Sequence, residues 1–441
     1  MKKNDQLQVN IEGYSSEGHG VAKPDGFVLF VPGAIMGETV TVHVLKVNKN
    51  FGYAKILSVD TPSPERVEPE CSVCDKCGGC AMWHASYAEE KRFKKQKVMQ
   101  NLKKAGVECK VGDVVSTNVI THYRNKAQYP VREQNGNIAV GFYRNGSHAV
   151  IEGECKIQPK IFDSIARFIK GQMLCLGISA YNEQTLKGDM RHIYLRANAD
   201  FSSIMLCLVV NKKPQRTDAL VSAVLGEFKQ ISTVYLNYNN KNTNVVLGQN
   251  YELLYGDGKI CDSLLNKKFL ISPQSFYQVN HDGCELLYSL AGDYIKGAKS
   301  VLDLYCGIGT VGICTADSSA SLTGVEIVEE AVKNATHNAA LNNMQNAEFF
   351  AADAKDIAKI TGKTFDAIVV DPPRKGCDAK TLEFLIESNP KKLVYISCDS
   401  ATLARDLAIL KNSFEIVDVT PVDMFPRTHH IETVVLLKAV K

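Results

Sequence analysis

No uninterrupted apolar stretch in this chain approaches the roughly 18 residues that a membrane-spanning helix needs, which argues against a bilayer-crossing protein. The opening MKKNDQLQVN has a charged pair with no apolar segment behind it, so no secretory leader is read there and a cytoplasmic protein is expected. A dominant charge is also missing. Lys and Arg number 51 against 48 Asp and Glu, so bulk charge names no partner. Internal repeats and low-complexity tracts are absent as well. What is present is length: 441 residues exceed one core, and two or three domains are expected. In a reducing compartment the 14 cysteines are not a disulfide framework; clustered thiols read as ligands and isolated ones as core residues or nucleophiles.

Three segments follow from the patterning. Residues 1–60 read as short strands and turns, with alternation in TVTVHVLKV and frequent glycines arguing for a small closed β structure. GHGVAK and VPGAIMGETV within it resemble a TRAM domain, an RNA-binding barrel of the oligonucleotide-binding type. TPSPERVEPE, with three prolines, reads as a linker. Residues 61–265 form a mixed α+β segment with strand-like runs such as SIMLCLVV and STVYLNY. Within it, KRFKKQKVMQNLKKAGVECK is strongly basic, which suits either a solvated helix face or a surface turned toward phosphates. From 266 to 441, apolar strands SVLDLY, SLTGVEIV, FDAIVVD and KLVYIS alternate with helix-length stretches, the signature of a parallel sheet covered on both faces. The chain is therefore expected to be multidomain α/β.

CSVCDKCGGC places Cys71, Cys74, Cys77 and Cys80 at three-residue intervals. Four thiols in so short a run serve packing poorly; they hold zinc or an iron–sulfur cluster. In such a run the fourth thiol often ligates elsewhere, and Cys155 in IEGECKIQP is the best distant candidate. The Cys-x5-Cys-x2-Cys spacing, the CGGC ending and the distal cysteine resemble the 4Fe–4S site of TRAM-bearing 23S ribosomal RNA (uracil-5-)-methyltransferases. That resemblance implies Cys71, Cys77, Cys80 and Cys155 as ligands, with Cys74 an extra thiol, and a cluster that ties the segment together without entering methyl transfer.

VLDLYCGIGTVGI carries Gly307, Gly309 and Gly312 between a strand and a helix, which alone suits a dinucleotide. Glu326 ends the next strand, where it can accept hydrogen bonds from ribose hydroxyls. Asp303 precedes the loop, Asp353 ends a third strand and VVDPPRKG a fourth. Acidic groups at successive strand ends suit the amino, ribose and adenine groups of S-adenosylmethionine. The set resembles a Rossmann-like class I methyltransferase domain. The family resemblance further implies cofactor contacts at Gln278 (in SFYQVN), Tyr305, Glu326, Asp353 and Asp371.

In LVYISCDSATLARDL, Cys398 stands where a strand stops and a helix begins, at the strand end where parallel sheets place chemistry. Carbon 5 of uracil is too weak a nucleophile to take a methyl group unaided. A thiolate adding at carbon 6 activates it, and a base then removes the carbon-5 proton so that sulfur can leave. The helix start, capped by Asp399 or Ser400, is expected to lower the thiol pKa. In the resembling family this is the nucleophile motif, and H-x-E before the last strand places the base at Glu432. His429 and His430 are adjacent candidates of lower rank.

A uracil inside a stem hides its ring face, so the target is single-stranded or flipped out. Basic and aromatic residues interleave in THYRNKAQYPVR and VGFYRNG, which suits an RNA loop, with Arg124, Lys126, Arg132 and Arg144 toward phosphates. The combination of TRAM and cluster implies 23S ribosomal RNA as partner, with the chain acting as a monomer. Transfer-RNA uracil-5-methylation is the alternative; an iron–sulfur NAD(P) oxidoreductase, a non-catalytic RNA-binding protein and an exocyclic-amine methylase are the rivals, and none of these three gives Cys398 work to do.

Overall fold

In Thr39–Val47, Val40, Val42 and Val44 are buried while Thr39, Thr41 and His43 remain part-exposed, the period-2 pattern of a strand with one face inward. The structure, a computed structural model, describes residues 1–357 and 362–440. This strand pairs with Gln6–Asn10 on one side and Phe51–Thr61 on the other. The ladder continues through Val28–Val31 and Gly20–Ala22 to Gly13–Tyr14. Ile11 N donates to Glu38 O at 2.9 Å and Glu12 N to Val21 O at 2.8 Å. One segment, Gln6–Tyr14, therefore borders both ends of the ladder, and the sheet closes on itself around Val9, Leu29, Val31, Val40 and Ala54. Closure removes the open edges a small sheet would otherwise expose. The proline-rich segment after it is held in place: Arg66 clasps the buried Glu38 through Nε and Nη2 and also donates to Gly33 O.

The central sheet runs, in spatial order, Asn250–Tyr255, Ile231–Tyr238, Ile204–Val210, Met190–Ala197, Lys126–Gln134 and Asn137–Val140. Helices Lys160–Leu176 and Thr217–Glu227 bury Phe162, Ile165, Ile169, Leu220 and Val224 against Ile193, Leu195, Leu206 and Leu208. The alternate residues Tyr194, Met205, Cys207 and Val209 face the other way, into a core shared with the C-terminal domain. Both faces are covered, which is why IMLCLVV reads as continuous apolar sequence. The expected boundary at 265 falls at the turn of a hairpin, Ile260–Leu264 with Lys267–Ile271; Leu265 and Asn266 both adopt positive φ, 48° and 60°.

Seven strands make the C-terminal sheet: β1 (Ser300–Leu304), β2 (Ser321–Glu326), β3 (Ala347–Ala351), β4 (Ala367–Val370), β5 (Lys392–Ser397), β6 (Phe414–Val422) and β7 (Glu432–Ala439). Their order is β3-β2-β1-β4-β5-β7-β6, with β1 to β5 parallel and β7 antiparallel to both its neighbours. The order departs from the 3-2-1-4-5-6 arrangement of dinucleotide-binding folds by this inserted strand. Helices His281–Ile295, Thr310–Thr315 and Glu329–Leu341 pack on one face. Ala379–Ser388 and Ser400–Leu410 cover the other, joined there by the basic helix Tyr87–Lys104 through Val98 and Leu102. Ser86 caps that basic helix, its side chain accepting from Glu89 N at 3.2 Å. No helix among the described residues is long and apolar enough to cross a membrane.

Candidate active site

The chain leaves β1 through Tyr305, at φ 65°, and Gly307 and Gly309, at φ 55° and 82°. Glu326 Oε2 accepts from Gly307 N at 3.2 Å and its Oε1 from Val328 N at 2.9 Å, so the β2 carboxylate holds the glycine loop open beside it. Gly312 has no room for a side chain: a Cβ there would lie 2.7 Å from Leu322 Cδ1 and 2.9 Å from Asp303 Oδ2. Asp303 is fully buried; Oδ2 accepts from Gly312 N at 2.7 Å while Oδ1 has no partner. Burial pushes its carboxyl up to about 8. An orphaned acceptor beneath an open glycine cradle is a place for a ligand's polar donor.

Cys398 follows β5 directly. Ser397 pairs with Thr433 across the β5–β7 ladder, and one further step of that register sets Cys398 opposite Glu432. Asp371 follows β4 in the parallel neighbour position and donates its N–H to Leu304 O. Three strand ends thus deliver a half-buried thiol and two carboxyls to one point, and two of these strands are parallel neighbours, as the strand-end rule requires. Burial pushes the Cys398 thiol up to about 11, with Glu432 and Asp371 adding to it and Arg374 opposing. Burial outweighs the small lowering that the backbone at the helix start contributes, so the expected net fall does not occur. Asp399 caps that helix, accepting from Ala401 N at 2.9 Å and Thr402 N at 3.1 Å. Glu432 is buried and pushed up to about 8 by desolvation, then by Asp371, against Arg374; Asp371 is pushed up to about 7 by desolvation. His430 stacks its ring 4.1 Å from that of His429, and burial, His429 and Arg374 push it down to about 4.

Of the remaining expected cofactor residues, Gln278 is buried beside the domain junction, its carbonyl accepting from Asn125 Nδ2 at 3.0 Å. Asp353 lies one residue past Ala352, whose N–H donates to Glu326 O. The Tyr305 hydroxyl meets Thr381 Oγ1 at 3.4 Å.

Five cysteines of the central segment line a common space. Cys71, Cys74, Cys77, Cys80 and Cys155 line one cavity of about 200 Å³, with Arg124 and Lys126 at its wall. Burial pushes Cys80 up to about 12 and Cys155 to about 11. Among the described residues no His, Cys, Asp and Glu group is drawn close enough to hold a metal ion, so the expected iron–sulfur domain is not shown as such. The thiols surround a space and do not meet at a point. Arg132 is not turned toward phosphates: it is buried, paired with Glu183 at 2.7 Å and bonded to the carbonyls of Val131 and Arg191, because its strand lies inside the central sheet. Arg144 is exposed.

Residues 86–440 match the family model of tRNA (uracil-5-)-methyltransferases, and residues 2–57 match the TRAM domain. The chain belongs to that methyltransferase family. It is 40% identical to an uncharacterized RNA methyltransferase of Clostridium tetani, over 99% of this chain and 97% of that one. An RNA methyltransferase of Halalkalibacterium halodurans is 39% identical over 99% of this chain and 98% of its own length. The fold superimposes on Pyrococcus abyssi tRNA (uracil-54, C5)-methyltransferase in complex with S-adenosyl-L-homocysteine, with a TM-score of 0.80, 26% identity, and coverage of 98% of this chain and 100% of that one.

Arg374 went unassigned in the sequence, although it acts on Cys398, Glu432 and His430 alike. Its position in DPPR was the available signal. Ile327 and Val328, immediately after Glu326, are 66% and 53% exposed.

Proposed function

We propose that this protein methylates carbon 5 of a uridine in RNA, 23S ribosomal RNA by resemblance, through a covalent bond between Cys398 and carbon 6. The observation that carries the reading is the convergence of Cys398, Glu432 and Asp371 at three strand ends beside the glycine loop. S-adenosylmethionine supplies the methyl group; Asp303 Oδ1, Glu326 and the Gly307 cradle fit its amino and ribose groups, with Gln278, Tyr305, Asp353 and Asp371 as further contacts. Cys398 loses its proton to solvent and adds to carbon 6, and negative charge builds on carbon 5 and the ring carbonyl. Carbon 5 takes the methyl group. Glu432, ionised, accepts the carbon-5 proton, and the sulfur leaves carbon 6 as the ring double bond reforms. Because Glu432 rests near 8, it binds that proton far more tightly than an ordinary carboxylate would.

Cys71, Cys77, Cys80 and Cys155 would hold a 4Fe–4S cluster, which several thiols ringing one cavity fit better than a single ion does. The cluster would brace the segment between barrel and central sheet. The chain is proposed to act as a monomer. Transfer RNA is the second substrate reading, favoured by the full-length likeness to a tRNA enzyme. Incubation with labelled cofactor and both unmodified RNAs, followed by mapping of the methylated base, decides between them. 5-Methyluridine in 23S RNA alone is expected; label in neither RNA, or only on exocyclic amines, would remove the reading.

A further inference from the structure

Lys126 and Arg196 stand directly opposite each other across the antiparallel ladder of the central sheet. Like charges in that position repel, and Arg196 is only 1% exposed. Its Nη1 donates to Ser275 O at 2.9 Å, while Nε is buried without a partner. Its guanidinium lies over the Tyr194 ring at 5.9 Å, which offers no counter-charge. Burial, Arg196 and Arg124 together push the Lys126 ammonium down to about 8, and no carboxylate acts on it. Two other buried arginines meet a carboxylate, Arg132 with Glu183 and Arg427 with Glu90, while Arg191 is answered by the carbonyls of Asn239 and Lys241 and has no second cation facing it across a ladder. A buried guanidinium facing a part-buried ammonium with no anion between them is unfavourable unless a ligand supplies the charge.

Both side chains line one cavity of about 500 Å³ between the sheet and the Pro273–Phe276 loop. We propose that this cavity binds a backbone phosphate of the RNA substrate, gripped by Arg196 and Lys126. The proposal rests on the RNA methylation reading above. Lys126 also borders the thiol cavity, but Arg196 does not, so a cluster's charge leaves Arg196 unanswered. Phe276, 69% exposed, and Tyr251 put ring faces at the cavity wall, which suits a nucleotide over a free inorganic anion. The chain just past this loop is tied to the central sheet, Asn125 N donating to Val279 O at 2.8 Å and Asn125 Nδ2 to Gln278 O, and to the segment before Glu432, Asn280 Nδ2 donating to Met424 O at 3.0 Å. A phosphate held here sets the register of the strand entering the site.

The test compares wild type, Lys126→Gln and Arg196→Gln in binding to unmodified ribosomal RNA fragments across a salt series. Thermal melts with and without inorganic phosphate, and calorimetry of S-adenosylmethionine binding, accompany it. Lys126→Gln is expected to weaken RNA binding about tenfold at 0.1 M salt and to flatten the slope of log affinity against log salt by about 0.7, the single-strand value for one lost phosphate contact. The same variant is expected to melt no lower than wild type, since a repulsion has gone, to lose the stabilisation by phosphate, and to bind cofactor normally. Wild-type RNA affinity and salt slope in Lys126→Gln overturn the proposal, whatever Arg196→Gln does to folding. A wild type that binds RNA in the expected way and makes no 5-methyluridine removes the methylation reading while the phosphate site stands.

Discussion

At Glu432, desolvation raises the carboxyl to about 8, and the consequences for stability and for rate have opposite signs. Between the ordinary carboxylate range and pH 8 the unfolded chain has released this proton while the folded chain keeps it, so stability falls as pH rises through that window. Glu432→Gln, which never ionises, should therefore melt above the wild type at pH 8, by on the order of 3 kcal/mol, and converge with it near pH 4. The same variant should lose methyl transfer by about 10²–10⁴-fold, and with it the rise in rate toward pH 8 that ionisation of the base gives the wild type. Melts and rates measured over pH 5–9 check both. Cys398, Asp371 and Glu432 were legible because each is a reactive residue at the end of an apolar run. The direction of the thiol shift was not. It depends on burial in the folded core and on carboxyls brought from β4 and β7, neither of which is local to SCDS.

The basic helix Tyr87–Lys104 was read as a solvated or phosphate-facing surface, and one face of it is neither. Lys94 is fully buried, 2.7 Å from both Glu90 Oε1 and Asp423 Oδ1, and donates to Phe425 O at 3.2 Å. Glu90 Oε1 in turn accepts from Arg427 N at 2.7 Å, and the Arg427 guanidinium lies 4.9 Å from the Trp83 ring. Lys97 Nζ donates to His429 O at 2.9 Å. This element thus fixes the Asp423–His430 loop that delivers Glu432. Lys94→Met leaves the buried Asp423 without its cation and Glu90 with Arg427 alone, and should cost about 3–5 kcal/mol, measured by denaturant unfolding. Trp83 fluorescence should shift in the folded variant. A run of lysines hides such a residue because its partner is more than 300 positions away. Strand alternation made the barrel legible, whereas its closure depends on two backbone bonds at Ile11 and Glu12. Insertion of β7 between β5 and β6 is a pairing choice that periodicity does not encode.

Over the whole molecule, the closed barrel has its own core, while the central sheet buries one face under its own helices and shares the other with the C-terminal sheet; the thiol cavity lies among the residues that follow the barrel and those of the central sheet. Protein purified without oxygen is expected to carry iron and sulfide, and Cys155→Ser to lose both and to melt lower by roughly 6–12 °C, as a loss on the order of 3 kcal/mol does in a domain of this size. Cys74→Ser should leave the iron content unchanged, and equal iron loss in both variants would redraw the ligand set. RNA carrying 5-fluorouridine, whose fluorine cannot leave as a proton, should stop the full-length enzyme midway, with the methyl group already on carbon 5. Intact mass of the denatured mixture, with cofactor present, is expected to show protein plus methylated RNA joined one to one through the peptide containing Cys398, and no such species for Cys398→Ala. An enzyme that methylates unmodified uridine RNA but forms no adduct with the fluorinated RNA would mean that Cys398 does not add to the ring.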